Sequence, residues 1–304
     1  MKHIRRIWKK LLFHVHRILR TKGHGVSILV PLHFSETDTQ RIENWKWLEH
    51  YWKKSLPGAE IIIGNDKDAG EIPFSKSVAV NDAASRARGD VFIIVDADVY
   101  ISVDSVLECV NEIRAARKRN QKLWFIPYRN LYRLTEEVSR AILNSTPGSF
   151  LKVSFPELSG FYTNTGSHQG TPVSKIGHWY GAMIQIVPRE GFYSTGGWDN
   201  RMRGWGGEDH AAMVAVDTLY GPHKTLPGQV LHLWHPVFVP AHIDDSTSKK
   251  RLWANQESSQ NNDVLSGRYH WARGNPERMK KLVSEPRVLT VVKVKAKPSE
   301  EVSS

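Results

Sequence analysis

Val91-Phe92-Ile93-Ile94-Val95-Asp96-Ala97-Asp98 is a run of five β-branched or aromatic apolar residues that leads straight into two acids at alternate positions. A stretch apolar on both faces, with no alternation, has the pattern of a strand buried inside a parallel sheet. Acids at its carboxyl end stand where open α/β sheets bind ligands. Val26 to Pro31 is a second such run, closed by proline, and Ala59 to Gly64 is a third, ending in Asn65-Asp66. Helix-period segments alternate with them over Thr39 to Trp52, Ser75 to Arg88 and Val103 to Arg119, before a further strand at Leu123 to Ile126. The alternation predicts an α/β fold, a doubly wound and mostly parallel sheet flanked by helices, with Pro31, Asp66 and Asp96 at strand ends.

The second informative stretch, Gly196 to His210, sets glycines and two tryptophans before the adjacent acids Glu208 and Asp209. Glycines admit backbone angles closed to other residues and let a ligand approach the main chain, while the Trp205 indole offers an apolar plane and one donor. Glu208 and Asp209 fall in the first turn of a predicted helix through Leu219, where carboxylates favour the positive end of the dipole. Ala182 to Val187 reads as the strand before it and Gln229 to Trp234 as a late strand running into His235. Tyr128 to Tyr180, rich in Gly, Ser, Thr and Pro in its second part, is expected to form loops. Ser248 to Leu265 and Pro276 to Val283 read as helices, Arg287 to Lys295 as an edge strand, and Lys297 to Ser304 as a disordered tail.

A chain of 304 residues with 40% hydrophobic side chains can bury a full core in one large domain or two intimate halves. Met1 to Lys22 hold eight Lys/Arg and no acid, so of the net charge of +11 only +3 (11 minus 8) is left for the body. That placement argues against a nucleic-acid surface. Ile4, Ile7, Trp8, Leu11, Leu12, Val15, Ile18 and Leu19 recur at helical spacing opposite the basic face. Residues 1–19 therefore suit either peripheral contact with an anionic membrane or docking on protein. Arg17 and Arg20 interrupt any signal-peptide core, and the single cysteine, Cys109, suits a reducing compartment, so the expected setting is cytoplasmic.

The acids after Val95, the preceding Arg88-Gly89-Asp90 and the Trp205-Gly206-Gly207-Glu208-Asp209 core together resemble the GT-A glycosyltransferases, a Rossmann-like fold. The likeness is to family-2-like members and, in the C-terminal half, to the β-1,4-galactosyltransferases, and it runs from about Val26 to about Val283. With a cysteine count that excludes an intrachain disulfide, it points to a bacterial or phage member. The domains it implies are the basic segment 1–22, a nucleotide-sugar-binding half over 23–127, an acceptor-binding and catalytic half over 128–284, and a terminal strand and tail over 285–304.

The resemblance implies a metal-dependent inverting transferase that moves a hexose from a nucleotide diphosphate sugar, UDP-linked, to a hydroxyl of a glycan, glycolipid or protein. A non-catalytic sugar-binding or scaffold protein on the same fold is the alternative. The leaving diphosphate calls for a divalent cation held by hard oxygens. Asp96 and Asp98 would supply them, Asp96 also reaching toward the ribose. A late-strand histidine, His232 or His235, would complete a site for Mn2+ (or Mg2+), with imidazole favouring manganese over calcium.

Pro31-Leu32-His33 stands where related enzymes read the nucleotide with Pro-Phe-Arg. Phe74-Ser75-Lys76 resembles Phe-Asn-Arg and would put Phe74 at the base or ribose and Lys76 at the diphosphate. Asp66 matches an acid that bonds the pyrimidine base. Asp209 would be the general base, Glu208 would bind sugar, and Trp205 would close over the donor. His210 replaces an acid of the related galactosyltransferases, which removes the grounds for an N-acetylglucosamine acceptor.

Overall fold

The computed structural model describes residues 23–34, 38–69, 74–148, 183–204, 206–236 and 262–287. The expected N-terminal amphipathic segment, Trp205, most of the helix from Ser248, the strand beyond Arg287 and the C-terminal tail lie outside them.

The expected alternation is present in the N-terminal half. Val26–Pro31 (β1), Glu60–Gly64 (β2) and Val91–Val95 (β3) are parallel neighbours, with Ile28 level with Ile61 on one side and with Ile93 on the other. All residues of β1 and β3 are buried, which is why neither run alternates. Each fully buried Val, Ile or Phe contributes about 1.5–3 kcal/mol of apolar transfer. Thr39–Ser55 (α1) packs its Trp45, Trp47, Leu48, Tyr51 and Trp52 inward, and the Tyr51 hydroxyl donates to Ile101 O at 2.8 Å. Lys76–Arg86 (α2) opens on Ser75, whose hydroxyl accepts from Val78 N. It crosses so close to β2 that a Cβ at Gly64 would lie 1.9 Å from Ala79 O, so only glycine fits that strand end.

The other strands complete two sheets. After β3 come Val99–Ile101 (β4), Val103–Lys118 (α3), Phe125–Ile126 (β5), Asn130–Arg133 (β6) and Glu136–Leu143 (α4). Ile184–Pro188 (β7), Arg189–Tyr193 (α5), Glu208–Leu219 (α6), Lys224–Thr225 (β8) and Gln229–His232 (β9) follow. The main sheet has the order β2-β1-β3-β7-β5-β8, and β7 is antiparallel to both β3 and β5 while the other pairs are parallel. The mostly parallel, helix-flanked α/β sheet expected from the sequence is therefore observed.

A second, three-stranded sheet has the order β4-β9-β6. The sequence reading did not foresee it. Three- and four-residue strands carry too little pattern to register, and β6 and α4 occupy residues 130–143, where only loops were expected. Helices over residues 262–272 (α7) and Pro276–Val283 (α8) close the described fold, α8 packing on α6. Among the described residues no helix is long and apolar enough to cross a membrane.

Candidate active site

The turn Asp96-Ala97-Asp98 leads from the main sheet into the small one, with Val99 N donating to Asp96 O at 3.2 Å. Because β4 and β9 are antiparallel with Val99 opposite His232, the end of β9 arrives beside Asp98, and Leu233 N donates to Asp98 O at 2.8 Å. The chain beyond is pinned by Ser139 Oγ, which accepts from Trp234 N, and by Asn44 Nδ2, which donates to Trp234 O. His232 Nε2 thus lies 3.6 Å from Asp98 Oδ1, and His235 Nε2 lies 3.2 Å from Asp98 Oδ2. Ligand atoms of these three residues all fall within 4.8 Å of one another.

The donor set fits a divalent transition metal. Asp98 Oδ1 is buried without a hydrogen-bond partner, since 3.6 Å is too long for one. Burial holds the His232 imidazole down at about 4, against the pull of Asp98, so its lone pair is available at neutral pH. Burial alone would raise Asp98, but the two histidines and Arg41 hold it well below the ordinary carboxylate range. One carboxylate with two imidazoles suits manganese better than magnesium or calcium. Asp96 is not among these three residues; its carboxylate lies 2.6 Å from Lys76 Nζ.

Lys76 opens α2 directly after its capping serine and reaches from Asp96 across to Asp209, at 2.8 and 3.0 Å from the two carboxylate oxygens. Asp209 and Glu208 begin α6, whose N-cap is Gly207 at φ +86°, a left-handed conformation that favours glycine. Three partly buried carboxylates, Asp96, Glu208 and Asp209, therefore share one ammonium. Burial raises all three, with Lys76 opposing and the neighbouring acids reinforcing, and Asp209 is pushed up to about 8. Glu208 Oε2 is buried without a hydrogen-bond partner. Such a cluster can hold a cation or take up a proton, according to which partner arrives.

The residues that the resemblance assigns to the nucleotide also converge. Leu32 N donates to Gly64 O beyond Pro31, and the His33 and Phe74 rings stack at 5.7 Å with an 18° interplanar angle. Asp66 is close by but fully buried, its carboxylate accepting from Ser75 N and Arg203 Nη1, both at 2.8 Å. The sequence reading missed Arg41, whose Nε lies 3.3 Å from His235 Nδ1, Trp198, which lies under Lys76 Nζ at 5.7 Å, and Tyr128, which is buried beside Asp96 and Asp209. An arginine inside a helix and a tyrosine in an unremarkable context carry no local signature, and the glycine-rich stretch that contains Trp198 does not say where its indole packs, so only the fold could single them out.

The sequence has no match among curated proteins. Among solved structures it is similar to the catalytic domain of Drosophila β1,4-galactosyltransferase 7 in complex with xylobiose. That likeness has 14% identity, covers 75% of this chain and 79% of that one, and has a TM-score of 0.37. It is also similar to GalNAc-T7 with UDP, GalNAc and Mn2+, at 13% identity, 84% and 54% coverage and a TM-score of 0.41. The family model described as "Glycosyltransferase like family 2" matches residues 59–236, from β2 through both acid-bearing turns to the last of the paired histidines. With that match spanning more than half of its length and every strand-end carboxylate of the site, the chain belongs to glycosyltransferase-like family 2.

Proposed function

We propose that this glycosyltransferase is metal-dependent and inverting, and that it moves a hexose from a UDP-linked donor to a hydroxyl of a glycan, glycolipid or protein. The observation that carries the reading is the pairing of two unlike clusters across Lys76. On one side stands a set of metal-type ligands, Asp98, His232 and His235. On the other stands Asp209, a carboxylate outside that set.

When bound at Asp98, His232 and His235, the metal ion supplies positive charge to the leaving diphosphate. Lys76, already between the clusters, adds its ammonium to the same phosphates. Pro31, His33 and Phe74 flank the nucleotide. Drawing Lys76 toward phosphate relaxes its hold on Asp209, which then accepts the proton of the acceptor hydroxyl. As that O–H bond breaks, the acceptor oxygen bonds to the anomeric carbon and the bond from that carbon to the diphosphate oxygen breaks on the opposite face, inverting the configuration. Glu208, with a buried oxygen that has no hydrogen-bond partner, binds a sugar hydroxyl.

The test is a panel of nucleotide sugars assayed for Mn2+-dependent hydrolysis and for thermal stabilisation, followed by NMR of the transfer product. Turnover of a UDP-hexose with an inverted product supports the reading. A retained anomeric configuration would remove Asp209 from the role of base.

A further inference from the structure

We propose that Asp66 and Arg203 form a clasp that positions the catalytic acids, so that Asp66 acts through Arg203 instead of reading the nucleotide base. The Asp66 side chain has 0% exposure and that of Arg203 has 10%. Asp66 Oδ2 accepts from Arg203 Nη1 and from Ser75 N, both at 2.8 Å, and Asp66 Oδ1 accepts from Asp68 N at 3.3 Å. A base reaching for this carboxylate would have to displace partners already in place inside the protein.

The same arginine is gripped along its main chain. Asn262, 1% exposed on α7, accepts from Arg203 N at 3.1 Å and donates to Arg203 O at 2.8 Å. The flanking residues are tied to the loop after β2: Ser75 Oγ donates to Met202 O at 2.6 Å, and Gly204 N donates to Phe74 O at 2.8 Å. Three consecutive residues, Met202 to Gly204, are thus fastened to two separate elements. Gly204, Gly206 and Gly207 are all at positive φ, a conformation that favours glycine. Gly207 closes that stretch against α7, where an added Cβ would meet Ser266 Cβ at 3.1 Å and Asn262 O at 3.3 Å.

Glu208 and Asp209 follow at once. Their place is therefore set by where the glycine run is anchored, and a misplacement of about 1 Å at a reacting group can cost about 10²-fold in rate. The clasp also makes the nucleotide-side loop and the catalytic helix one mechanical unit, since Phe74 and Ser75 hold Gly204 and Met202 while Lys76 holds Asp209.

The experiment has two readouts, and only the second rests on the glycosyltransfer reading. In native-state trypsin digestion of the full chain followed by mass spectrometry, Asp66→Asn should speed cleavage after Arg201 or Arg203 roughly tenfold or more. Cleavage of a transiently opened segment follows the population of its open form. Asn262→Ala, which leaves the ion pair intact, should do the same and serves if Asp66→Asn does not fold.

In nucleotide-sugar turnover, Asp66→Asn should lower kcat by about 10²-fold while changing donor KM by less than about threefold, and Arg203→Lys should retain more kcat than Arg203→Met. Unchanged cleavage, or a raised donor KM with kcat intact, overturns the clasp. If the unaltered protein turns over no nucleotide sugar, the glycosyltransfer reading falls, and the digestion still decides the clasp.

Discussion

Asp96 and Asp98 stand two residues apart on one turn, both partly buried, and their environments drive them in opposite directions. Asp98 faces two imidazoles and the charge of Arg41, which outweigh burial and keep it ionised. Asp96 faces Lys76, but it shares that ammonium with Asp209 and Glu208, and burial with the neighbouring acids pushes it upward. Burial alone does not decide the state of a carboxylate. The ratio of cations to acids around it does, and here that ratio separates a carboxylate held ionised beside two imidazoles from carboxylates that raise one another around a single ammonium.

The largest effect should come from breaking the metal side. Asp98→Ala removes the only carboxylate of the three-residue set, so Mn2+-dependent donor hydrolysis should vanish and Mn2+ titration followed by EPR should show no site, with circular dichroism unchanged. Full activity in that variant ends the metal assignment. On the proton side, Asp209→Asn keeps the shape and removes the basicity. Transfer should fall by roughly 10²–10⁴-fold while calorimetry still detects the donor. In the unaltered protein kcat/KM, which reports the free enzyme, should rise with pH until Asp209 ionises near 8.

Stability measurements sharpen the contrast. Lys76→Met strips the acid cluster of its shared cation, and breaking a buried pair in this way costs roughly 3–5 kcal/mol. Much of that cost disappears where the acids can take up protons, so the loss in Tm should be larger at pH 8 than at pH 5. A loss independent of pH would mean that Lys76 matters through packing.

The smallest effect concerns Asp209 itself, whose folded value is raised from the ordinary 3.8 to about 8. A raised acid stabilises the fold while protonated, and that contribution is lost as pH rises from about 4 toward 8. Asp209→Asn should therefore raise Tm relative to the unaltered protein at pH 8 by a few degrees, with the gain shrinking below pH 5; roughly 2–4 °C corresponds to each kcal/mol for a domain of this size. Asp98→Asn should show no such gain, because Asp98 is shifted the other way.

Much of this was legible in the chain. The unbroken apolar run at Val91–Val95 announces a buried strand because both of its faces are covered, and the acids after it stand at the strand end, where open α/β sheets in general bind ligands. Glu208 and Asp209 could be placed at a helix start because glycine and first-turn acids are local signals. The short strands β4 and β6 and the helix α4 were not legible, since a few residues paired in a second sheet leave no periodic trace. Asp66 was visible as an acid at a strand end, but its engagement with Arg203, 137 positions away, was not.

The sequence by itself determined the α/β class, the strand ends at which acids gather, and the residue types available for metal binding and for proton transfer. These follow from hydrophobic periodicity and local turn chemistry, which act over a few residues. Only the tertiary structure decided which acid meets which partners. The register that sets Val99 opposite His232 brings imidazoles to Asp98, and the start of α2 brings one ammonium between Asp96 and Asp209. Charge interactions act through space, and residues 76, 96 and 209 on one side, and 98 and 232 on the other, become neighbours only once the chain has folded.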